Sequence, residues 1–501
     1  KEKGLTYVAE PIGVICGVTP TTNPTSTTIF KAMIAIKTGN PIIFAFHPSA
    51  QESSKRAADV VLEAAMKAGA PKDIIQWIEV PSIEATKQLM NHKGIALVLA
   101  TSGSGMVKSA YSTGKPALGV GPGNVPSYIE KTAHIKRAVN DIIGSKTFDN
   151  GMICASEQVV VIDKEIYKDV TNEFKAHQAY FVKKDELQRL ENAIMNEQKT
   201  GIKPDIVGKS AVEIAELAGI PVLENTKLII AEISGVGSDY PLSREKLSPV
   251  LALVKAQSTK QAFQICEDTL HFGGLGHTAV IHTEDETLQK DFGLRMKACR
   301  VLVNTPSAVG GIGDMYNELI PSLTLGCGSY GRNSISHNVS ATDLLNIKTI
   351  AKRRNNTQIF KVPAQIYFEE NAIMSLTTMD KIEKVMIVCD PGMVEFGYTK
   401  TVENVLRQRT EQPQIKIFSE VEPNPSTNTV YKGLEMMVDF QPDTIIALGG
   451  GSAMDAAKAM WMFFEHPETS FVGAKQKFLD IGKRTYKIGM PENATFICIP
   501  T

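Results

Sequence analysis

The 501-residue sequence lacks several features that would place it in a specialised class of protein. Its 53 lysines and arginines nearly balance its 54 aspartates and glutamates, so the formal net charge is −1, with no basic stripe or acidic tail. This balance argues against nucleic acid and anionic membranes as partners. No apolar run approaches the ~20 residues of a membrane-spanning helix. The first residues, KEKGLTYVAEPIG, contain no hydrophobic signal core.

Cysteine is scarce and scattered. The seven cysteines include no C-x-x-C pair, so the sequence predicts neither a zinc site nor a disulfide framework. A reducing cytoplasm is therefore the simplest setting. The sequence also has no initiator methionine and stops in the apolar stretch ATFICIPT, so we interpret it as a fragment of a longer polypeptide.

The sequence does contain a regular alternation of short apolar runs with amphipathic helical patterns. In the first third we predict strands at 11–18, 41–46, 74–80 and 94–100, with helices at 25–37, 54–69 and 83–92. This order predicts an α/β fold with a doubly wound parallel sheet, in which ligands bind at the carboxyl ends of the strands. A new βαβ series begins near Lys384. The predicted domains are 1–122, 123–345, a linker at 346–362, and 363–501.

A glycine triplet carries the first candidate site. The stretch IIALGGGSAMDAAK reads as a strand, a turn and a helix start, in which Gly449, Gly450, Gly451 and Ser452 would cradle a phosphate. We expect Asp455 in the first turn of that helix, and Asp390, at the end of an earlier strand, as an acceptor for a ribose hydroxyl. The plainer interpretations are a capped turn and an ordinary loop residue.

The stretch FDNGMICASEQ places Cys154 after a glycine turn and before a predicted strand. Free cysteine is often a core residue, but a thiol with thiolate character can attack a carbonyl. Local sequence leaves both interpretations open.

Three further residues stand out. Asn23 follows the first strand, and its amide could contribute to an oxyanion hole or belong to a turn. His277, in GGLGHT, could act as a base, orient a ligand or be structural. Glu245 precedes a strand and reads by itself as a surface charge.

Four segments, in order, resemble the aldehyde dehydrogenase superfamily: EPIGVICGVTPTTNP, GNPIIF, FDNGMICASEQ and EKLSPVLALV. The resemblance covers residues 9–345 and implies an aldehyde dehydrogenase fold, with a Rossmann-like cofactor domain (1–122) and an α/β catalytic domain (123–345). Residues 363–501 resemble the nucleotide-binding α/β half of an iron-dependent alcohol dehydrogenase. The order of the two parts resembles the bifunctional aldehyde-alcohol dehydrogenases of fermentative bacteria.

The resemblance assigns roles by position. Cys154 matches the nucleophile, Asn23 the oxyanion-hole amide, and Glu245 the carboxylate that holds the nicotinamide ribose. The matches to the cofactor-contacting loops are Val18, Thr19, Pro20, Thr21, Thr22, Gly103 and Gly121. In the second part, the matches to NAD contacts are Asp390, Asn424, Gly449, Gly450, Gly451, Ser452 and Asp455. An acidic side chain at position 390 would also repel the 2′-phosphate of NADP.

Two departures from the superfamily pattern resemble its CoA-acylating branch. Hydrolytic members carry a general-base glutamate in a LELGGK motif, whereas the matching stretch here is ALGVGPGN, with Gly119 or Val120 at that place. Hydrolytic members also carry a lysine after the second strand, where this chain has Ala45. Without water activation, a thioester on Cys154 would survive until a CoA thiol arrives.

The resemblance therefore implies NAD as cofactor, CoA as co-substrate, and reversible conversion of acetaldehyde to acetyl-CoA, with His277 as a base for CoA, a CoA contact or scaffold. The iron ligands of the resembled alcohol dehydrogenases would lie beyond Thr501, so we expect no metal ligand in this chain. The resemblance also implies a cytoplasmic homo-oligomer and a helical filament. The alternatives are a stand-alone CoA-acylating aldehyde dehydrogenase, a filament piece without turnover, and a plain nucleotide-binding module.

Overall fold

The computed structural model describes residues 4–352, 362–479 and 487–501. The chain divides into two compact units, Lys1–Ala351 and Lys352–Thr501. The strands of the first unit are β1 (Leu5–Pro11), β2 (Ile15–Val18), β3 (Ile42–Ala45), β4 (Ile75–Trp77), β5 (Leu97–Thr101), β6 (Ala117–Val120), β7 (Val125–Ile129), β8 (Glu157–Asp163), β9 (Ala179–Phe181), β10 (Leu228–Glu232), β11 (Val250–Ala256), β12 (Gly276–His282), β13 (Ala298–Val303) and β14 (Leu345–Ala351). Its α-helices are α1 (Pro24–Lys37), α2 (Gln51–Lys67), α3 (Ile83–Asn91), α4 (Ser104–Tyr111), α5 (Ile135–Thr147), α6 (Tyr167–Ala176), α7 (Lys184–Ile194), α8 (Ala211–Leu217), α9 (Thr259–Thr269), α10 (Glu286–Arg295) and α11 (Ser307–Ile312).

A parallel five-stranded sheet in the order β4-β3-β2-β5-β6 forms the first half of this unit. Successive residues of β2 face opposite sides, so Ile15 joins one apolar cluster and Cys16 another. Both faces are thus covered, as expected of a parallel sheet whose crossover helices pack on both sides. The predicted doubly wound arrangement is confirmed.

A seven-stranded sheet, in the order β13-β12-β7-β8-β11-β10-β9, forms the second half. Its strand β8 alternates between two cores: Val159 and Val161 pack on one face, and Val160 and Ile162 on the other. The amino ends of β7, β8 and β12 lie together in this parallel sheet and bring the loops that precede them to one edge.

A two-stranded antiparallel ribbon joins β1 to β14, from Leu5 opposite Ala351 to Pro11 opposite Leu345. The predicted strand at 11–18 is therefore wrong at its start. Gly13, at φ +122°, turns the chain between the ribbon and the five-stranded sheet, a torsion that favours glycine. Residues 346–351 of the predicted linker form most of β14, and residues 353–361 of it lie outside the described residues.

The second unit is a parallel four-stranded sheet in the order β16-β15-β17-β18. Its strands are β15 (Lys384–Cys389), β16 (Gln414–Phe418), β17 (Thr444–Gly449) and β18 (Thr495–Pro500). Its α-helices are α12 (Pro391–Glu395), α13 (Tyr398–Leu406), α14 (Thr427–Phe440), α15 (Gly451–Glu465) and α16 (Phe471–Leu479). The predicted βαβ series is confirmed. No helix in the described parts of either unit is long and apolar enough to cross a membrane.

Candidate active site

Cys154 lies in a tight loop between α5 and β8. Asp149 and Asn150 both have a φ of 48°, in the left-handed region that Asn and Asp tolerate better than most residues. Gly151 follows at φ 73°, and a Cβ at this position would be 2.6 Å from the carbonyl oxygen of Ser248. The sequence FDNG therefore suits this turn, which leads the chain to the amino end of β8.

Gly123 connects three of the predicted site residues. A Cβ on Gly123 would be 2.3 Å from the backbone oxygen of Cys154 and 3.1 Å from Cγ of His277. Its backbone N–H donates to Oε1 of Glu245 at 3.3 Å. The fold thus brings Cys154, His277 and Glu245 together around one glycine, although they are far apart in the sequence.

The thiol of Cys154 is half-buried and packs against Ile153 and Leu325. Burial, followed by the nearby Glu245 carboxylate, raises the pKa of Cys154 to about 12, and the Arg300 guanidinium opposes this only in part. The protein alone therefore favours the protonated thiol. Backbone N–H groups can favour the thiolate, but here desolvation is the larger effect.

His277 is fully buried at the start of β12. Its Nδ1 lies 3.0 Å from Oγ1 of Thr278, whereas its Nε2 has no hydrogen-bond partner in the part of the chain that the structure describes. Burial, together with the positive charge of Arg300, lowers the pKa of His277 to about 3. The imidazole is therefore neutral at physiological pH.

Arg300, on β13, supplies a buried positive charge that sequence reasoning missed. Its Nη2 donates to the backbone oxygen of His277 at 2.7 Å, and its Nη1 donates to that of Gly326 at 2.8 Å. Its Nε donates to Oγ1 of Thr278 at 3.3 Å. Within the described ranges, Arg300 forms no ion pair with a carboxylate. Its positive charge therefore acts on Cys154 and His277. In the sequence, no local pattern distinguishes Arg300 from any other arginine in a strand.

Asn23 lies immediately before α1, but its side chain makes no capping hydrogen bond. Its Oδ1 accepts from Oγ1 of Thr22 at 3.1 Å. No contact recorded for the described residues joins Asn23 to Cys154. Its place in the oxyanion hole therefore stays a prediction.

The predicted cofactor loops lie at one edge of the five-stranded sheet. Val18 ends β2 and is followed by the loop 19–22, Gly103 immediately precedes α4 after β5, and Gly121 follows β6. A Cβ on Gly103 or Gly121 would meet nothing within 4 Å, so both loops are open. The carboxyl ends of three adjacent strands thus form an accessible edge of the kind that binds dinucleotides.

A buried lysine lies beneath this edge. Nζ of Lys31 donates to the backbone oxygens of Val18, at the end of β2, at 2.6 Å and of Leu99, in the middle of β5, at 2.9 Å. Burial lowers the pKa of Lys31 to about 7. Sequence reasoning did not select it, although a lysine inside the apolar stripe of a helix is a usable signal.

A second buried network lies behind the Cys154 loop. Nζ of Lys146 donates to Oε1 of Gln158 at 3.1 Å, and Oγ of Ser145 donates to Oε2 of Glu157 at 2.5 Å. Burial raises the pKa of Glu157 to about 7 and lowers that of Lys146 to about 7. Burial also raises the pKa of Glu245 to about 7. This network ties the end of α5 to the start of β8, on either side of the nucleophile loop.

The second unit contains a cleft of about 520 Å³ at the carboxyl ends of its strands. The lining residues are Asp390, Pro391, Glu420, Val421, Glu422, Pro423, Gly450, Gly451, Ser452 and Ala453. Oγ of Ser452 accepts from the backbone N–H of Asn424 at 3.2 Å. A Cβ on Gly449, at φ +135°, would be 3.1 Å from Oδ2 of Asp390. The glycine turn and Asp390 thus lie side by side, and their role in binding a nucleotide stays a prediction.

Asp455 differs from its prediction. The helix α15 begins at Gly451 and has no acidic residue in its first turn, so Asp455 lies in the second turn. Its side chain is exposed and pairs with Lys458 at 3.7 Å. The helix begins earlier than expected, inside the predicted glycine turn, so Asp455 lies farther along the helix and away from the cleft lining.

Residues 1–313 match the pattern described as "Aldehyde dehydrogenase family". The chain belongs to the aldehyde dehydrogenase family. Residues 363–501 match a second pattern, "Iron-containing alcohol dehydrogenase". Within the described residues, no three His, Cys, Asp or Glu side chains are grouped so that they could hold a metal ion.

Individual proteins resemble this aldehyde dehydrogenase over nearly the whole chain. An "Aldehyde-alcohol dehydrogenase" of Streptococcus pneumoniae serotype 4 is 54% identical over 99% of the chain. The chain covers 57% of that relative, so it spans little more than half the length of the protein it matches.

Solved structures also resemble this aldehyde dehydrogenase over about 70% of the chain. An acetylating aldehyde dehydrogenase from Geobacillus thermoglucosidasius has a TM-score of 0.69 and 46% identity, over 73% of this chain and 79% of its own. A Rhodopseudomonas palustris propionaldehyde dehydrogenase, crystallised with bound CoA and an acylated cysteine, has a TM-score of 0.64 and 29% identity, over 70% of this chain and 77% of its own. The aldehyde dehydrogenase fold is confirmed.

Proposed function

We propose that the first unit is a CoA-acylating, NAD-dependent acetaldehyde dehydrogenase, which interconverts acetaldehyde and acetyl-CoA through a thioester on Cys154. The observation that carries the proposal is the meeting of Cys154, His277 and Glu245 around Gly123, beside an open cofactor edge. Gly119 and Val120, at the general-base place of hydrolytic relatives, supply no carboxylate.

The residues divide the chemistry as follows. Cys154 first gives its thiol proton to solvent water. Its thiolate then attacks the aldehyde carbonyl, and the oxyanion accepts hydrogen bonds from the amide of Asn23 and from the backbone N–H of Cys154. NAD, when bound, would supply the hydride acceptor. The tetrahedral adduct loses its carbon-bound hydrogen as hydride to that acceptor, its oxyanion re-forms the carbonyl, and the acyl group remains on the sulfur of Cys154. CoA then removes the acyl group, and the reverse sequence forms acetaldehyde from acetyl-CoA.

The cofactor edge of the first unit fits NAD. We assign the dinucleotide to the open loops at Val18–Thr22, Gly103 and Gly121, where β2, β5 and β6 end. Glu245, held by the N–H of Gly123, would accept the ribose hydroxyls near the nucleophile. Bound there, the ribose would also occupy the one carboxylate that acts electrostatically on Cys154 within the described ranges.

Hydrolysis is the second candidate, because one observation favours it. Glu245 influences the charge of Cys154, and burial raises its own pKa to about 7, in the range of a general base for water. The CoA-acylating reaction and hydrolysis differ in whether NADH forms continuously without CoA.

The decisive experiment measures NADH formation at 340 nm from acetaldehyde and NAD, with and without CoA, for the wild type and for Cys154→Ala. The proposal predicts steady turnover only with CoA, and none in the variant. Steady turnover without CoA would establish hydrolysis. Turnover that survives Cys154→Ala would remove the thioester mechanism altogether.

We propose for residues 363–501 a second NAD site, formed by Asp390, Asn424 and the turn Gly449–Ser452, with Asp455 as an outlying member. The cleft of about 520 Å³ supports this proposal. In a full-length bifunctional enzyme this part would serve the reduction of acetaldehyde to ethanol. We propose no metal-dependent step for the described residues, which include no group of three metal-ligating side chains.

The functional division that we propose follows residues 1–122, 123–345, a linker at 346–362, and 363–501. All seven cysteines are free, which supports a reducing, cytoplasmic setting. We also propose a homo-oligomer that extends into helical filaments. Light scattering over a range of concentrations tests this: a particle that grows with concentration supports a filament, and a constant monomer mass contradicts it.

A further inference from the structure

The role of His277 depends on which of its ring nitrogens carries the proton. A bare Nε2 could accept a proton from a thiol, whereas an Nε2–H could only donate a hydrogen bond. The ring is fully buried against Gly123, next to the backbone of Cys154, and its Nε2 has no partner within the described residues. The titratable groups nearby are Cys154, Cys327, Arg300 and, across Gly123, Glu245.

Arg300 distinguishes the two tautomers through Thr278. A guanidinium has only donors, so its Nε–H must donate to Oγ1 of Thr278 at 3.3 Å. The hydroxyl hydrogen of Thr278 then needs an acceptor. In the described part of the chain, the one other partner of Oγ1 is Nδ1 of His277, at 3.0 Å. The hydroxyl is satisfied only if Nδ1 carries a lone pair, and this places the ring proton on Nε2.

The opposite tautomer leaves two groups unpaired. If Nδ1–H donates to Thr278, the hydroxyl hydrogen of Thr278 has no acceptor and the lone pair of Nε2 has no donor. Both are buried, and buried polar groups are rarely left unpaired. The tautomer with the proton on Nε2 leaves only that one N–H without a partner in the described part of the chain. The doubly protonated ring is also excluded near neutral pH, because burial and Arg300 lower the pKa of His277 to about 3.

We propose that His277 acts in acyl transfer as a hydrogen-bond donor through Nε2–H, not as a general base, and that Thr278 and Arg300 are positioning residues that fix this tautomer. The proposal rests on the proposed CoA-acylating function. The acceptor is the thiolate sulfur of CoA, which a donor stabilises in the buried site.

The chemical step balances without a base on the protein. CoA–SH gives its proton to water or buffer before attack, since an ordinary thiol has a pKa of about 8.5 and is a few per cent thiolate at neutral pH. The thiolate attacks the carbonyl carbon of the Cys154 thioester. The new C–S bond forms, the bond to the sulfur of Cys154 breaks, and Cys154 leaves as a thiolate. No proton passes through His277.

The tautomer can be observed directly by NMR in the full chain labelled with ¹⁵N-histidine. Long-range ¹H–¹⁵N correlations separate a protonated ring nitrogen from a bare one, and His277→Gln identifies the signal among nine histidines. We expect a protonated Nε2 and a bare Nδ1 in the wild type and in Thr278→Ser, and loss of this preference in Thr278→Val. A protonated Nδ1 in the wild type would overturn the inference.

Kinetics provide the second test. His277→Gln keeps an N–H donor but has no titratable nitrogen, so CoA-dependent deacylation should stay within about tenfold of wild type, whereas loss of a general base costs about 10²–10⁴-fold. His277→Ala, which has no donor, should lose more. The pH profile of deacylation in His277→Gln should keep the wild-type shape. An inflection that vanishes in this variant would identify a base.

The acylation half serves as the control. The size of the NADH burst without CoA reports how much thioester each variant loads, so the deacylation rate is expressed per loaded thioester. Glu52→Gln, at an exposed position, should match the wild type in both the burst and the deacylation rate. If the wild type itself showed no CoA dependence, the proposed function would fail. The NMR result would still decide the tautomer, because it requires no turnover.

Discussion

Gly123 lies directly against Cys154: a Cβ on Gly123 would be 2.3 Å from the backbone oxygen of Cys154. No real Cβ tolerates that distance, and the obstacle is backbone, which cannot rotate away. The same glycine donates its N–H to Glu245. The position of Cys154 therefore depends on the absence of a side chain at Gly123, which lies in a different loop.

Gly123→Ala should displace the Cys154 loop. We expect the NADH burst to fall by at least tenfold, because a reacting atom misplaced by about 1 Å can cost 10²-fold in rate. Thermal unfolding should also shift to lower temperature. Gly144→Ala is the matched control, since a Cβ there meets nothing within 4 Å and the position is exposed in α5. Equal bursts in the two variants would contradict the geometry.

Glu245→Gln should make the thiol of Cys154 more reactive in the absence of cofactor. The Glu245 carboxylate helps to raise the pKa of Cys154, so an uncharged amide lowers this pKa and increases the thiolate fraction at a fixed pH. We expect faster iodoacetamide labelling of the Cys154 peptide at pH 8, followed by mass spectrometry. Glu52→Gln, at an exposed position, should label at the wild-type rate. Slower labelling in Glu245→Gln would show that the carboxylate activates the thiol.

Lys31→Met should remove a pH dependence of stability. Burial lowers the pKa of Lys31 to about 7 from 10.5, so between these values the unfolded chain holds a proton that the folded chain does not. Stability should therefore rise with pH from about 7 to about 10, by up to a few kcal/mol. We expect the melting temperature of the wild type to rise relative to that of Lys31→Met as the pH increases from 7 to 9.5. For the exposed Lys37→Met, the plot of melting temperature against pH should run parallel to that of the wild type. A parallel plot for Lys31→Met would contradict the lowered pKa of Lys31.

Asp390→Ala and Asp455→Ala should differ in nucleotide binding by the second unit. Asp390 lines the cleft beside Gly449, whereas Asp455 is exposed and paired with Lys458. Titration of NADH fluorescence in a Glu245→Ala background, which weakens the proposed first site, should show a loss of affinity of about tenfold or more for Asp390→Ala. Asp455→Ala should change it little. The reverse order would return Asp455 to the site.

The local elements could be predicted from the sequence because they depend on local patterns. The helix predicted at 25–37 forms as Pro24–Lys37, and the strand, glycine turn and helix around Gly449 form as expected. The pairing of distant segments could not be predicted from the sequence. The linker prediction misses β14 because its partner β1 lies more than 300 residues earlier in the chain, and because an exposed ribbon has no apolar run that would predict a strand.

The sequence by itself determined the α/β alternation, the glycine turns and the identity of the nucleophile candidate, since each depends on residue type and short-range order. Only the tertiary structure decided what surrounds that thiol. Arg300, Thr278 and His277 form a chain of hydrogen bonds because β12 and β13 are neighbours in one sheet. Burial at that edge then sets which groups carry charge, and burial is a property of the folded chain alone.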